Sequence, residues 1–254
     1  MKGDIKNLIT KDIDIKKAIK VRRKIRKNRE TAESVRLGVL LAIVGGFLDA
    51  YTFVCRGGVF ANAQTGNIVL VGIEATKGNW RQAIMAVLPI VAFVLGVIVA
   101  EGIKDIPIPS RAVEINGERT ILIIEILVLF FVGFIPITVP HIVVTTTIAF
   151  VSSVQISSFR KLVDSPYSTT MCTGNLRSAS QAVYIAFSKK DSVATTKAIR
   201  YGIIILSFLI GACLGGMLTL HIGVKSIWFT VLVLIAAVIL FSIDEYRAKS
   251  LYEN

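Results

Sequence analysis

Thr65-Gly66-Asn67 recurs as Thr173-Gly174-Asn175, and 173 − 65 gives a spacing of 108 residues. Each copy opens a hydrophobic run after a polar approach, Cys55-Arg56-Gly57-Gly58 before the first and Asp164-Ser165-Pro166 before the second. The flanks agree as well. Phe93-x-x-Gly96-x-x-x-Ala100 matches Phe208-x-x-Gly211-x-x-x-Gly215, at a spacing of 211 − 96 = 115. The pattern reads as an internal duplication of a membrane unit.

Composition agrees. The 254 residues are 54% hydrophobic and 18% charged, against about 25% charged for an ordinary soluble domain. Residues 1–36 hold 13 Lys or Arg and 5 Asp or Glu, so 13 − 5 = +8 of the total +12 lies there. The rest is unusually apolar. About 20 helical residues cross a hydrocarbon core, and eight candidate segments emerge, 37–55, 60–74, 82–103, 119–139, 142–159, 167–188, 201–222 and 226–243, with six to eight crossings expected because a Thr-Gly-Asn segment that fails to cross lowers the count. The predicted fold is therefore all-α and polytopic. A basic arm (1–36) precedes a first half (37–139), a second half (140–243) and a polar tail (244–254). Segment 60–74 is short, which predicts a broken helix or one that begins inside the protein.

The basic arm predicts a cytoplasmic N-terminus in the cell membrane. Its interspersed Ile and Leu suit an amphipathic helix lying on anionic lipid head groups. Nucleic acid is not the expected partner, since a basic flank beside a membrane span already has an ordinary explanation. With eight crossings the remaining loop cations divide eight inside to seven outside, so the arm alone orients the chain. The sequence leaves open a homo-oligomer, and also whether the halves are parallel or inverted.

No metal or cofactor is expected. Cys55, Cys172 and Cys213 form no C-x-x-C pair, and His141 and His221 sit at the ends of apolar runs. Phosphate-loop, G-x-S-x-G and H-E-x-x-H motifs are absent, so an enzyme is not predicted.

Thr suits a helix N-cap, leaving the next backbone N–H groups free at the positive end of the helix dipole. Short or broken segments at matching places in two halves point to a transporter site; the competing reading is close packing by Gly and Asn. The candidate site gathers Asp49, Asn62, Gln64, Thr65, Gly66, Asn67, Thr173, Gly174, Asn175 and Arg177. Asp49 and Arg177 are charges in apolar spans, expensive in lipid, and are expected to pair at the interface between halves. A proton-coupling role for Asp49 and an anion contact for Arg177 are the functional versions. Glu125, close to the charged loop, is expected to snorkel. Gly96/Ala100 and Gly211/Gly215 are expected at close helix contacts.

The ordered set Gly45-Gly46-Phe47-Leu48-Asp49-Ala50, Asn62-x-x-Thr65-Gly66-Asn67 and Gly78-Asn79-Trp80 resembles the YoaK-type family of bacterial membrane proteins of unknown function. The second Thr-Gly-Asn and the later Phe-x-x-Gly resemble it too, so the similarity covers residues 37–243. The resemblance implies a polytopic inner-membrane protein and brings no substrate, catalytic residue or cofactor. The leading expectation is secondary transport or permeation of a small polar or anionic solute between the halves. The alternative is a scaffold or regulator whose arm binds lipid or a partner.

Overall fold

Ser34 Oγ accepts the backbone N–H of Leu37 at 3.2 Å, and this cap starts the helix around which the molecule is built. The structure is a computed structural model and describes residues 34–105, 117–163, 165–170 and 172–253. The predicted arm thus lies outside the described residues up to residue 33. Eight α-helices are found among the described residues: α1 Val35–Cys55, α2 Gln64–Thr76, α3 Trp80–Asp105, α4 Gly117–Val132, α5 His141–Ser158, α6 Cys172–Lys189, α7 Ser192–Ile222 and α8 Trp228–Glu253. A 3-10 turn, Gly223–Ile227, joins α7 to α8, and a two-residue antiparallel ladder pairs Lys161–Leu162 with Ser165–Pro166.

Contacts fix the direction of each helix. We call the face where α1 begins proximal and the face where it ends distal. Gly38 meets Ile204, Gly46 meets Phe208, and Gly215 meets Phe47, so α7 climbs beside α1 in the same direction. At the distal face Arg56 bonds Ile135 O and Pro136 O just beyond α4, and Gly57 lies against Met85 and His141 near the starts of α3 and α5. At the proximal face Arg160 pairs with Glu101 at 2.5 Å, which brings the ends of α3 and α5 together. Trp228 Nε1 donates to Phe130 O at 3.1 Å, so α8 starts at the distal face and returns. Six helices, α1, α3, α4, α5, α7 and α8, therefore run from face to face.

The other two do not cross. After α1 the chain reverses at Gly57 and Gly58, both with positive φ, a conformation open to glycine. It then runs back along α1: Ala61 N–H donates to Thr52 Oγ1 at 3.1 Å and Asn62 N–H to Asp49 Oδ1 at 2.6 Å. From that depth α2 returns to the distal face, where Gln82, just past it, donates to Gly57 O at 2.6 Å. The second half does the same from the other side. Leu162 and Tyr167 touch Gly38, Thr170 touches Gly45, and Ala179 of α6 packs back beside Leu162, Tyr167 and Tyr201. Six face-to-face helices is the low end of the six to eight crossings expected. α2, with 13 residues, reaches only about 20 Å; α6 has 18 but starts midway along α1, so both enter and leave by the same face.

Helix pairing is reciprocal. α1 packs on α7 and α3 on α5, α2 on α3 and α6 on α7, α4 on α5 and α8 on α1. The close approaches correspond too. A Cβ on Gly96 would strike Ser153 Oγ and Phe150 O, and one on Gly211 would strike Ile43 O. Glycine is thus required where these backbones meet, as expected for these positions.

Four stretches are long and apolar enough to cross a membrane: Val35–Cys55, Trp80–Ile103, His141–Ser158 and Ser192–Ile243, the last containing α7 and α8 up to Ile243. Exposed apolar side chains such as Val94, Leu95 and Ile98 on α3 and Leu206, Leu209 and Ile210 on α7 suit a lipid surround. α1 is the buried column: Leu37, Leu41, Val44, Phe47, Leu48 and Tyr51 join the main core with Leu122, Leu129, Ile148 and Leu234.

Candidate functional site: the junction of two half-helices

The middle of α1, Gly45 to Asp49, is where the two half-helix approaches arrive from opposite faces. From the distal side comes Asn62. Its Nδ2 donates to Gly45 O at 3.3 Å, and its backbone N–H and that of Ala63 donate to Asp49 Oδ1 at 2.6 and 3.4 Å. From the proximal side comes Thr170, whose methyl group occupies the place a Gly45 side chain would need. Cys172, the first residue of α6, lies within electrostatic range of the Asp49 carboxylate. Gly45 and Asp49 are one turn apart on the same side of α1. Asp49, Asn62, Thr169 and Thr170 are all buried, and each keeps one side-chain oxygen without a hydrogen-bond partner: Asp49 Oδ2, Asn62 Oδ1, Thr169 Oγ1 and Thr170 Oγ1.

The asparagines of the repeated tripeptide build the approaches. Asn67 Nδ2 donates to Phe60 O at 2.7 Å, and Phe60 N–H donates to Asn67 Oδ1 at 2.9 Å. Asn175 Nδ2 donates to Ser168 O at 2.7 Å, and Ser168 N–H donates to Asn175 Oδ1 at 3.4 Å. Each Asn thus grips the residue seven positions earlier and holds the turn that brings the chain to its helix start. Gln64 supports the first grip, donating to Ala61 O at 2.8 Å and accepting from Asn67 Nδ2 at 2.9 Å. Gly66 fits beneath the Phe60 ring, where a Cβ would stand 2.8 Å from the ring edge.

The threonines do not cap. The residue before α2 is Ala63, with no side-chain cap, and Thr65 and Thr173 are exposed second residues of their helices, as Gly174 is an exposed third. The expected Asp49–Arg177 pair does not form either. Arg177 is exposed on α6, while Asp49 bonds backbone N–H groups. Two residues beyond the buried Asn175, Arg177 has turned to the outside of its helix. Glu125 does not snorkel: it is buried two turns into α4 and accepts from Gln155 Nε2 at 3.0 Å. Sequence reasoning missed Thr169 and Thr170, which lie in an irregular turn, and Arg56, which reads as a loop cation. Arg56 is fully buried, and its guanidinium donates to Tyr51 Oη, Ile135 O and Pro136 O at 3.1, 2.7 and 3.2 Å.

Two adjoining cavities open at the distal face, of about 440 and 550 Å³, sharing Arg81, Met85 and His141 in their walls. Neither is lined by Asp49 or by the Thr-Gly-Asn residues. Among the described residues no group of three His, Cys, Asp or Glu side chains is placed to hold a metal ion.

The family model described as "Protein of unknown function (DUF1275)" matches residues 37–240. The chain belongs to this family. The DUF1275 match takes in both half-helices and every residue of the junction. The chain is also similar to the UPF0700 transmembrane protein YoaK of Bacillus subtilis (strain 168), 24% identical over 180 residues, covering 68% of this chain and 78% of that one. No solved structure matches. The sequence resemblance stated above is thus shown, and the chain is a membrane protein of a family without an assigned function.

Proposed function

We propose that this DUF1275 protein is a secondary transporter or permease for a small polar solute, working at the junction of two inverted halves. One observation carries the reading: the approaches to two half-helices come from opposite faces and both reach the Gly45–Asp49 turn of α1, where a carboxylate is buried. Irregular backbone at membrane depth survives only where protein or a polar cavity receives it. Paired interrupted helices in two halves are the recurrent architecture of solute sites at the bilayer midplane. Each half holds three crossings, so the second is inverted relative to the first, and the reciprocal packing supports a common origin for the two. No junction residue lines either distal cavity, which suits a resting state between openings. Arg177 lies away from the junction, so the anionic version of the solute loses its support.

The same topology supports a cytoplasmic proximal face. Beyond residue 36, Arg56, Lys77, Arg81 and Lys225 belong to the distal side. Lys104, Arg119, Arg160, Lys161, Lys189, Lys190, Lys197, Arg200, Arg247 and Lys249 belong to the proximal side or its approaches. Among the described loop cations, ten against four replaces the undecided count of the eight-crossing scheme, which also included Arg111, and the arm adds to the ten. Cations on that face also suit anionic head groups.

The test is uptake by proteoliposomes holding the purified chain, across a panel of sugars, amino acids, amines and organic acids. Saturable uptake of one class, lost in Asp49→Asn, is expected. A folded protein that moves none of them returns the junction to a packing role.

A further inference from the structure

We infer that the junction binds a small monovalent cation of sodium size, held by Asp49 Oδ2, Asn62 Oδ1 and the hydroxyls of Thr170 and the adjacent Thr169. The inference rests on the junction of the transport reading and names its coupling ion. It starts from the four polar atoms left without partners there. All four are oxygens, and their residues are only 5%, 4%, 1% and 6% exposed for Asp49, Asn62, Thr169 and Thr170. Buried polar atoms are ordinarily paired, so three on residues that meet the Gly45–Asp49 turn, with a fourth on the adjoining Thr169, require a reason.

The amide and backbone donors nearby are already spent, which leaves only the two threonine hydroxyls able to donate or accept. Asn62 Nδ2 goes to Gly45 O, which also fixes which amide atom is the free oxygen, and the backbone N–H groups of Asn62 and Ala63 go to Asp49 Oδ1. What remains is a carboxylate oxygen, an amide oxygen and two hydroxyls that can each turn a lone pair inward, and a set with that one negative charge selects a cation over an anion. The net charge of the set is that of one carboxylate. The two arginines that could neutralise it are elsewhere: Arg56 is turned to Tyr51, Ile135 and Pro136, and Arg177 is exposed. An unpaired buried carboxylate is strongly unfavourable, and one bound monovalent charge balances it. Carboxylate, amide and hydroxyl oxygens are hard ligands, suited to alkali and alkaline-earth ions rather than to thiophilic metals. A single negative charge favours the monovalent ion.

The ligands come from three elements: α1, the distal approach and the proximal approach. An ion at their centre ties both half-helix starts to α1, so its occupancy sets whether the two approaches are held together. That is the linkage a coupled transporter needs.

The experiment measures Tm of the purified full chain in detergent, with sodium chloride replaced by choline chloride at constant ionic strength, at several pH values. Saturable stabilisation by sodium is expected, about 5–10 °C at a hundredfold excess over Kd. Asp49→Asn should abolish the sodium response, and Thr170→Val should weaken apparent sodium affinity about tenfold. The valine variant keeps the test decisive if Asp49→Asn does not fold. Identical Tm in sodium and choline overturns the inference. So does a sodium response unchanged in Thr170→Val, or stability that follows pH equally in both salts, which would mean that a proton occupies the carboxylate. The two readings fail separately. Sodium binding without uptake of any solute defeats transport and leaves the site; uptake at full rate in sodium-free choline medium does the reverse.

Discussion

Asn67 holds Phe60 by both of its backbone groups, and the pair closes the turn that delivers the chain to the middle of α1. Asn175 and Ser168 repeat the device from the opposite face. Neither side chain is accessible, so each bond is made at the expense of water and counts once broken.

Asn67→Ala should destabilise the protein by about 2–4 kcal/mol, because it strips one donor and one acceptor of a buried turn of their partner. Asn175→Ala should cost somewhat less, since its second bond is 3.4 Å against 2.9 Å. Thermal unfolding in detergent measures both. A near-neutral Asn67→Ala would show that the turn holds itself without the side chain.

Gly211→Ala places a methyl group against Ile43 O, and overpacking of this kind costs about 1–3 kcal/mol. A Cβ added at Gly216, five residues on, would meet nothing within 4 Å. Gly216→Ala should therefore be neutral or slightly stabilising, as helix propensity alone dictates. Equal losses at the two sites would refute the close approach of α1 and α7.

Single-cysteine labelling separates the re-entrant topology from eight crossings. With Cys55, Cys172 and Cys213 replaced, Lys77→Cys should be modified from the side opposite to Lys189→Cys, and Lys104→Cys from the same side as Lys189→Cys. Eight crossings reverse both relationships. Modification of positions 77 and 189 from one side would discard the half-helix description of α6.

Arg56→Met removes three hydrogen bonds from a charged donor and should cost about 2–5 kcal/mol. Arg56→Lys should recover only part, because one ammonium cannot reproduce the planar fork that reaches Ile135, Pro136 and Tyr51 together. Chemical unfolding of both variants checks the order. Full stability in Arg56→Lys would mean that charge alone, and not geometry, matters there.

Glu125→Gln keeps an acceptor for Gln155 Nε2 and should change stability by less than about 1 kcal/mol, whereas Glu125→Leu leaves a buried amide donor unpaired and should cost about 1–3 kcal/mol. Comparable unfolding curves for the two would show that the Gln155 bond carries no weight.

Much of the fold was legible in the sequence. The expected spans 37–55, 82–103 and 142–159 lie within a few residues of Val35–Cys55, Trp80–Asp105 and His141–Ser158, because long uncharged runs leave little choice. The paired tripeptides also marked the right neighbourhood. What hydropathy does not carry is direction. A short apolar helix that crosses and one that turns back read alike, and mistaking α2 moves every following loop to the wrong face until α6 restores the count. The site was half-legible for a related reason. Asp49 and Asn62 meet at the middle of α1, but Thr65, Thr173 and Arg177 are exposed, and it is Asn67 and Asn175 that hold the turns. Which side of a one-turn helix start faces inward depends on the turn before it, and that turn is set by contacts with α1 far away in sequence.

The pairing of α1 with α7 has a consequence for biosynthesis. Gly38, Gly45 and Gly46 form a bare backbone face that Ile204, Thr170 and Phe208 cover, and all three are made more than 120 residues later. α1 therefore enters the bilayer with its seam open and Asp49 lacking its proximal neighbours, and it waits for nearly the whole chain to follow. Neither half can close its own seam, since each lends its first helix to the other's third. Severed in the turn at 133–140, the two pieces should be unstable when made alone and should recover one another when made together, because the nascent protein is an interlock and not a pair of finished modules.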